Sequence, residues 1–588
     1  MQRARWLLRR GVGKGGIAIR VRLMLVGAGT AAAMLAALML ATGAAARTSS
    51  GLGWGTNAHG QLGQGWVGDE ATEPVGLVDV SSGIKQLAGA GALLTSGEFV
   101  SWGSTGQLQH VETNVETKSG EKWASPVEQV AGNDGHRIYL LENGRVETNG
   151  SNTFGELGNG TEGTEKENCE EGGLGEPGKI TVCASAAPVP VETGYSLSAE
   201  GQATSVGALN NVSYVFSDGA NDGVIKEGKV FTWGENREEQ VCDGHEKYER
   251  ELEGGTIEKV ERGEAADVPI EVPGVSEAAS AAFGAGTTQG GHLLILLKDH
   301  KVLGCGGDED AQLCLGHDTA TKTRTLEPTE LPLLGSEVSQ VEGSFEDSFA
   351  ITSKGELLGC GADTEGQLGI KATEDCFKRD YLCIESPTKI LADVTQISSQ
   401  FNYSAAIAEG KVYTFGINAG GRLGNGLTGD SDGICKDKKT EKEEKECEEI
   451  ENTENNLEPK EVKGASDVTE VQALEDAVLG TTSGTPPSPI PGRLALSPGT
   501  VSGTSALIVE WEWPHEHEGQ WLVSYRRAGT EEAFTKTNFS CESERHPPCR
   551  DTIASLAPET EYEVALSERH AGTPSFTRRR ILGTSGPA

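Results

Sequence analysis

The chain has 588 residues, a formal net charge of −38 and a sequence pI near 4.7. Hydrophobic residues make up 36% and glycine fills 80 positions, the composition of folded domains rich in turns. No basic stripe is present, which argues against a nucleic-acid ligand and against docking on acidic membranes.

The first element is a leader. Arg3, Arg5, Arg9, Arg10, Lys14, Arg20 and Arg22 are basic, and no acid accompanies them. Leu23 to Ala41 is apolar, and Ala44, Ala45 and Ala46 form a small-residue cleavage site. That order predicts a secretory signal peptide over residues 1–46. The alternative is an uncleaved N-terminal anchor, because the apolar run is nearly long enough to span a bilayer. Arg9-Arg10 hints at twin-arginine export, but Gly11, Val12 and Gly13 follow where a bulky apolar pair belongs. Losing the seven basic residues would take the formal charge from −38 to −45. All four Met lie in the leader, and a Met-free mature chain suits an oxidising setting. The expected location is secreted or at the cell surface.

Repeats follow. An apolar run ends in an aromatic-Gly pair, polar residues come next, and a Gly-x-Leu-Gly turn closes the phrase. The clearest copy runs from Trp54-Gly55 to Gly60-Gln61-Leu62-Gly63. Further anchors are Trp102, Asn149, Trp233, Cys305, Cys360 and Phe415, each followed by Gly. They lie 48, 47, 84, 72, 55 and 55 residues apart, so two units carry insertions. Short β-rich stretches such as 394–397, 403–407 and 411–415 fill each unit. Hairpin signals at Asn143-Gly144, Lys354-Gly355 and Glu409-Gly410 separate them. One small sheet cannot bury both faces, whereas a ring of them can. Two strand-like stretches, 468–471 and 477–481, have no anchor after them, and Trp54 has no strands before it. The simplest closure builds one blade from both ends of residues 47–486.

These units resemble the regulator of chromosome condensation repeat family. Gly60-Gln61-Leu62-Gly63, Gly155-Glu156-Leu157-Gly158, Gly366-Gln367-Leu368-Gly369 and Gly421-Arg422-Leu423-Gly424 carry the resemblance, which covers roughly residues 50–486. It implies a seven-bladed β-propeller. The family's usual His before the outer strand is missing from 87–92 and 342–345, and His136 alone sits near such a place. The resemblance therefore implies the fold and not the founding activity.

Twelve Cys behind an export signal predict disulfides. Four pairs are local: Cys169 with Cys183, Cys376 with Cys383, Cys435 with Cys447, and Cys541 with Cys549. Each would staple a polar insertion. Cys242 and Cys314 replace the last Gly of the repeat turn, and Cys305 and Cys360 replace the aromatic anchor. Two cross-blade bonds are inferred, Cys242–Cys305 and Cys314–Cys360. A bond within one repeat, Cys305–Cys314, would leave Cys242 and Cys360 stranded. A metal site is disfavoured because no Cys-x-x-Cys pair exists.

Residues 484–491 are a Pro-rich spacer. Alternating strand patterns follow over 487–588. The run from Leu556 through Pro558, Thr560 and Tyr562 to Val564 resembles the fibronectin type III domain. That resemblance implies a β-sandwich with Tyr562 as the tyrosine corner and Trp511 or Trp513 in the core.

Chemical motifs are nearly absent. Residues 173–180 superficially match a phosphate loop, but Ile180 follows Lys179 where Ser or Thr should hold Mg²⁺. His515 and His517 have strand spacing but no third ligand. Asp308 to Asp310 and Asp430 to Gly433 lack the regular spacing of a calcium loop. Residues 436–449 are a mixed charge run, read as a solvated insertion. Asn211 and Asn538 open glycosylation sequons.

No cofactor, metal or catalytic residue is expected, and the chain reads as a non-enzyme. The favoured function is a binding scaffold whose propeller loops hold an extracellular protein, with inhibition as one outcome, or a cell-envelope glycan. The insertions after Asn149, Trp233 and Phe415 are the expected specificity loops. Guanine nucleotide exchange is the alternative implied by the family, disfavoured by the leader. A polysaccharide-active enzyme is the other, and would need paired carboxylates in a cleft.

Overall fold

The computed structural model describes residues 49–585 except 65–67, 78–82, 103–108, 112–124, 134, 161–168, 173–179, 199–202, 246–247, 252–256, 261–264, 285–290, 317–323, 371, 373–381, 428–454, 485–493, 502–503, 512–519, 528–534, 543–548, 559 and 570–575. The leader, Cys376, Cys435, Cys447, Asp430, His515, His517 and Trp513 thus lie outside the described residues.

Seven sheets carry the seven anchors, all antiparallel except for one parallel pair in blade 4. Blade 7 shows the plan: Val394–Gln400, Tyr403–Ala408, Lys411–Gly416 and Asn456–Glu461, paired in that order. The anchor Phe415 ends the third strand. The second strand is buried along its whole length, and half of the fourth is exposed. This gradient explains the sequence pattern. Second strands read as apolar runs because other blades cover both their faces, whereas fourth strands alternate Lys, Glu and Pro at the rim.

Blade 1 closes the ring. Ser50–Asn57 lies between Gly68–Gly76 and Ala477–Thr482, and Val468–Ala473 completes the sheet. Trp54 pairs with Val478 across the ladder. Both chain ends of the propeller therefore share one set of hydrogen bonds, and neither end can leave without opening the ring. Blades 3 and 4 absorb the insertions as extra strands. Cys169–Gly172 adds a fifth strand to blade 3 beside its fourth, Ile180–Pro190, while Thr193–Leu197 and Ala203–Ala208 extend blade 4.

The innermost strands are tied by side chains. Gln86 donates its amide to the Val130 carbonyl (2.7 Å) and accepts from the Val130 N–H (3.2 Å). Gln129 makes the same pair of bonds with Val215, and Gln396 with Val471. Glu470 holds this strand position in blade 1 and accepts the Leu87 N–H at 2.9 Å.

Beyond the propeller, Leu494–Val501, Thr504–Trp511 and Cys549–Leu556 form one antiparallel sheet. Thr535–Glu542, Gln520–Arg527, Glu561–Arg569 and Phe576–Thr584 form another. Leu507, Val509, Val523 and Val564 are fully buried. The Tyr562 hydroxyl accepts the Ala557 N–H at 3.0 Å.

Candidate functional site: the anchor-loop face of the propeller

In each blade the first-to-second strand turn and the loop after the anchor open on the same edge. A repeated set of bonds holds the loop bases. Asn57 Oδ1 accepts the Leu62 N–H at 3.0 Å, and Asn152, Asn236, Asp308, Asp363 and Asn418 do the same for the residue five positions on. Asp308 thus serves as a turn cap, and among the described residues no group of three or more His, Cys, Asp or Glu is arranged to hold a metal.

The anchors then clamp neighbouring blades. Trp102 donates its indole N–H to Gln61 O (2.9 Å), Trp233 to Glu156 O (2.8 Å) and Trp54 to Arg422 O (2.9 Å). Each acceptor lies in the Gly-x-Leu-Gly turn of the preceding blade. The last Gly of that turn sits beneath the ring. A Cβ on Gly158 would lie 2.6 Å from Trp233 Nε1, and one on Gly369 would lie 2.9 Å from Phe415 Cδ2.

At two seams this packing is replaced by a bond. Cys242 is joined to Cys305, and Cys314 to Cys360, with Cα separations of 5.9 and 5.6 Å. Each pair links a turn to the next blade's anchor. Cys242 and Cys314 keep the left-handed backbone of the glycines they replace, with φ of 59° and 54°. Cys383 is also disulfide-bonded. Cys169 and Cys183 face each other across one backbone ladder. Cys541 and Cys549 lie in strands of different sheets. Asn149, the polar anchor, accepts the Tyr139 hydroxyl at 3.0 Å. The six other anchors are buried, so they build the seams and are not themselves a binding surface.

Acids gather around the loop bases. At the seam of blades 3 and 4, His136 Nε2 lies 2.7 Å from Asp222 Oδ2. Burial disfavours the charged imidazole, but the Asp222 carboxylate outweighs it and holds His136 above its ordinary value. Burial also pushes Asp218 and Glu235 up to about 7. His292 takes the equivalent strand position in blade 5, opposite the anchor glycine Gly306, and lies 2.8 Å from Ser348 Oγ. Sequence reading found His136 and missed His292. Counting back from the anchor glycine to its ladder partner would have found both.

A second cluster spans blades 5 to 7. Asp347 is fully buried, and neither carboxylate oxygen has a hydrogen-bond partner. Burial, then the nearby Glu346, Asp363 and Asp310, hold it well above the carboxylate range. Burial and Asp310 push Glu346 up to about 7. Phe345 precedes Glu346 in the chain, and its ring lies 5.5 Å from that of Phe401 at an interplanar angle of 33°. The two residues occupy matching turns in blades 6 and 7. Neither was singled out from the sequence, since an aromatic in a turn has no periodic signature.

No family model matches the chain. It is 27% identical to the human regulator of chromosome condensation over 354 residues, 57% of this chain and 70% of that protein. It is 26% identical over 131 residues to the mouse secretion-regulating guanine nucleotide exchange factor, and this match covers 21% of the chain and 28% of the relative. The chain thus spans less than a third of that relative's length. The solved structure of Kap60 bound to yeast RCC1 (Prp20) matches with a TM-score of 0.51 at 17% identity, covering 74% of this chain and 88% of that one. The fold is a seven-bladed β-propeller, similar to that of the yeast RCC1 structure.

Proposed function

We propose that this chain is an exported, non-enzymatic binding scaffold that engages a protein partner through its anchor-loop face. One observation carries the reading. The loop bases are fixed by the same Asn/Asp cap in blade after blade, while the loops themselves differ widely in length. Fixed bases with variable loops are the arrangement of a recognition surface. Export is supported by the leader's charge pattern and by two fully buried cross-blade disulfides. We read residues 487–588 as a fibronectin type III module. The three- and four-stranded sheets and the Tyr562 bond to the Ala557 backbone support it. Its role would be a spacer or an adhesion unit.

Capture is the test. The chain from Arg47, fixed to beads, is offered secreted proteins and envelope material beside a form ending at Ser483. A discrete protein retained by both supports the scaffold reading. Retention of glycan by the longer form alone moves the function to the C-terminal module. Similarity to a guanine nucleotide exchange factor supplies a second reading. Nucleotide release from a GTPase, accelerated by the added chain, would favour it over the first.

A further inference from the structure

We propose that the paired phenyl rings of Phe345 and Phe401, with Glu346 next to Phe345 in the same turn, receive an arginine or lysine side chain of the partner. This rests on the scaffold reading and names the chemistry of one contact. Phe401 is 38% exposed and is the sole aromatic among the exposed large hydrophobics of the described residues. Its backbone carbonyl accepts the Ser344 hydroxyl at 3.4 Å, which fixes one turn against the other. The ring pair is therefore held in place and still open to solvent.

Charge selects the occupant. Burial, then Asp310, raise Glu346, and no basic group opposes that shift. Glu346 follows Phe345 directly in this turn and is only partly buried, so its carboxyl is within a partner's reach. A cation placed over the rings would meet the Glu346 carboxylate once it ionises. Ring faces attract guanidinium and ammonium groups, and guanidinium also lies flat on them. A neutral sugar would use the rings and leave the charge uncompensated. The chain's net charge of −38 adds steering of a basic partner.

The experiment uses the full mature chain and three capped tripeptides, Gly-Arg-Gly, Gly-Lys-Gly and Gly-citrulline-Gly, followed by ligand-observed NMR at pH 8.5. That pH ionises Glu346, which burial holds near 7. The arginine peptide should bind, and the citrulline peptide, which has the shape without the charge, should not. Phe401→Leu and Glu346→Gln should each weaken arginine binding roughly fivefold, the size of an exposed cation–π contact. Phe401→Leu keeps an apolar side chain, so its unfolding temperature serves as the folding control. Equal binding of arginine and citrulline overturns the proposal. So does arginine binding that neither variant changes, because that would be diffuse attraction to an acidic surface. A partner captured by the wild type and equally by both variants also overturns it, and leaves the scaffold reading standing.

Discussion

The Trp54 indole donates to the backbone carbonyl of Arg422, 2.9 Å away in space and 368 residues along the chain. This bond ties the first anchor to the last turn and closes the seam between blades 7 and 1. Arg422 is fixed in turn, with its guanidinium 4.6 Å from the Tyr403 ring centre and Nε bonded to Ile417 O. Trp54→Phe keeps most of the packing and strands one carbonyl, so it should cost about 1 kcal/mol. Trp54→Ala should cost about 3–5 kcal/mol. Hydrogen exchange is the discriminating readout. Amides of Ala477–Thr482 should lose protection before those of Asp347–Thr352. Uniform loss across both strands would mean that the seam is no weaker than the rest of the ring.

The Cys pairs and the Gly–aromatic pairs solve one packing problem in two ways, and a swap tests that equivalence. Cys360→Trp alone should be severely destabilising, because Cys314 occupies the space a glycine leaves beneath the ring in other seams. Adding Cys314→Gly should recover much of the loss. It should also lower stability relative to the wild type by about 4 kcal/mol, the loop-closure contribution of a bond of this span. Denaturant midpoints of both variants decide the matter. If the double variant is no better than Cys360→Trp, the turn and anchor do not act as a unit.

This exchange also shows why part of the molecule was legible in the sequence. A Gly lost at position 242 or 314 and an aromatic lost at 305 or 360 are a single event when read one blade apart. The Gly-x-Leu-Gly phrase is visible because a left-handed turn and a close ring approach both demand glycine, as at Gly158. Phe345 and Phe401 carry no such demand. Their meaning lies in what the neighbouring blade brings alongside, and a single chain has no local signal for that.

Acidity should stabilise the propeller. Burial pushes Asp218, Glu235, Glu346 and Asp363 up to about 7, and Glu342 up to about 8. In the unfolded chain these groups release their protons near pH 4. Between those limits the folded state holds more protons than the unfolded one. Stability is therefore highest near the lower limit and is lost as pH rises through 7 to 8. The unfolding temperature should be higher at pH 5.5 than at pH 8.5 by roughly 5 °C or more. A rise in unfolding temperature with pH over that window would show that the buried carboxyls are ionised and compensated.

Glu470 gives this pH effect a single-residue test. In blades 2, 3 and 7 a Gln at this position both donates to and accepts from the next inner strand. Glu470 accepts the Leu87 N–H, but a carboxylate has no proton to return. The protonated acid does, and so imitates Gln. Burial raises Glu470 to about 7, with the Leu87 bond opposing the shift. Glu470→Gln should then change stability little at pH 5, where both side chains can donate. At pH 8.5 the amide should be more stable by about 1–2 kcal/mol, the value of one recovered bond plus an avoided buried charge. The variant's stability should also fall less steeply between the two values. Equal gain at both pH values would assign the effect to packing, and a loss at pH 8.5 would mean that the carboxylate itself holds blade 1 to blade 2.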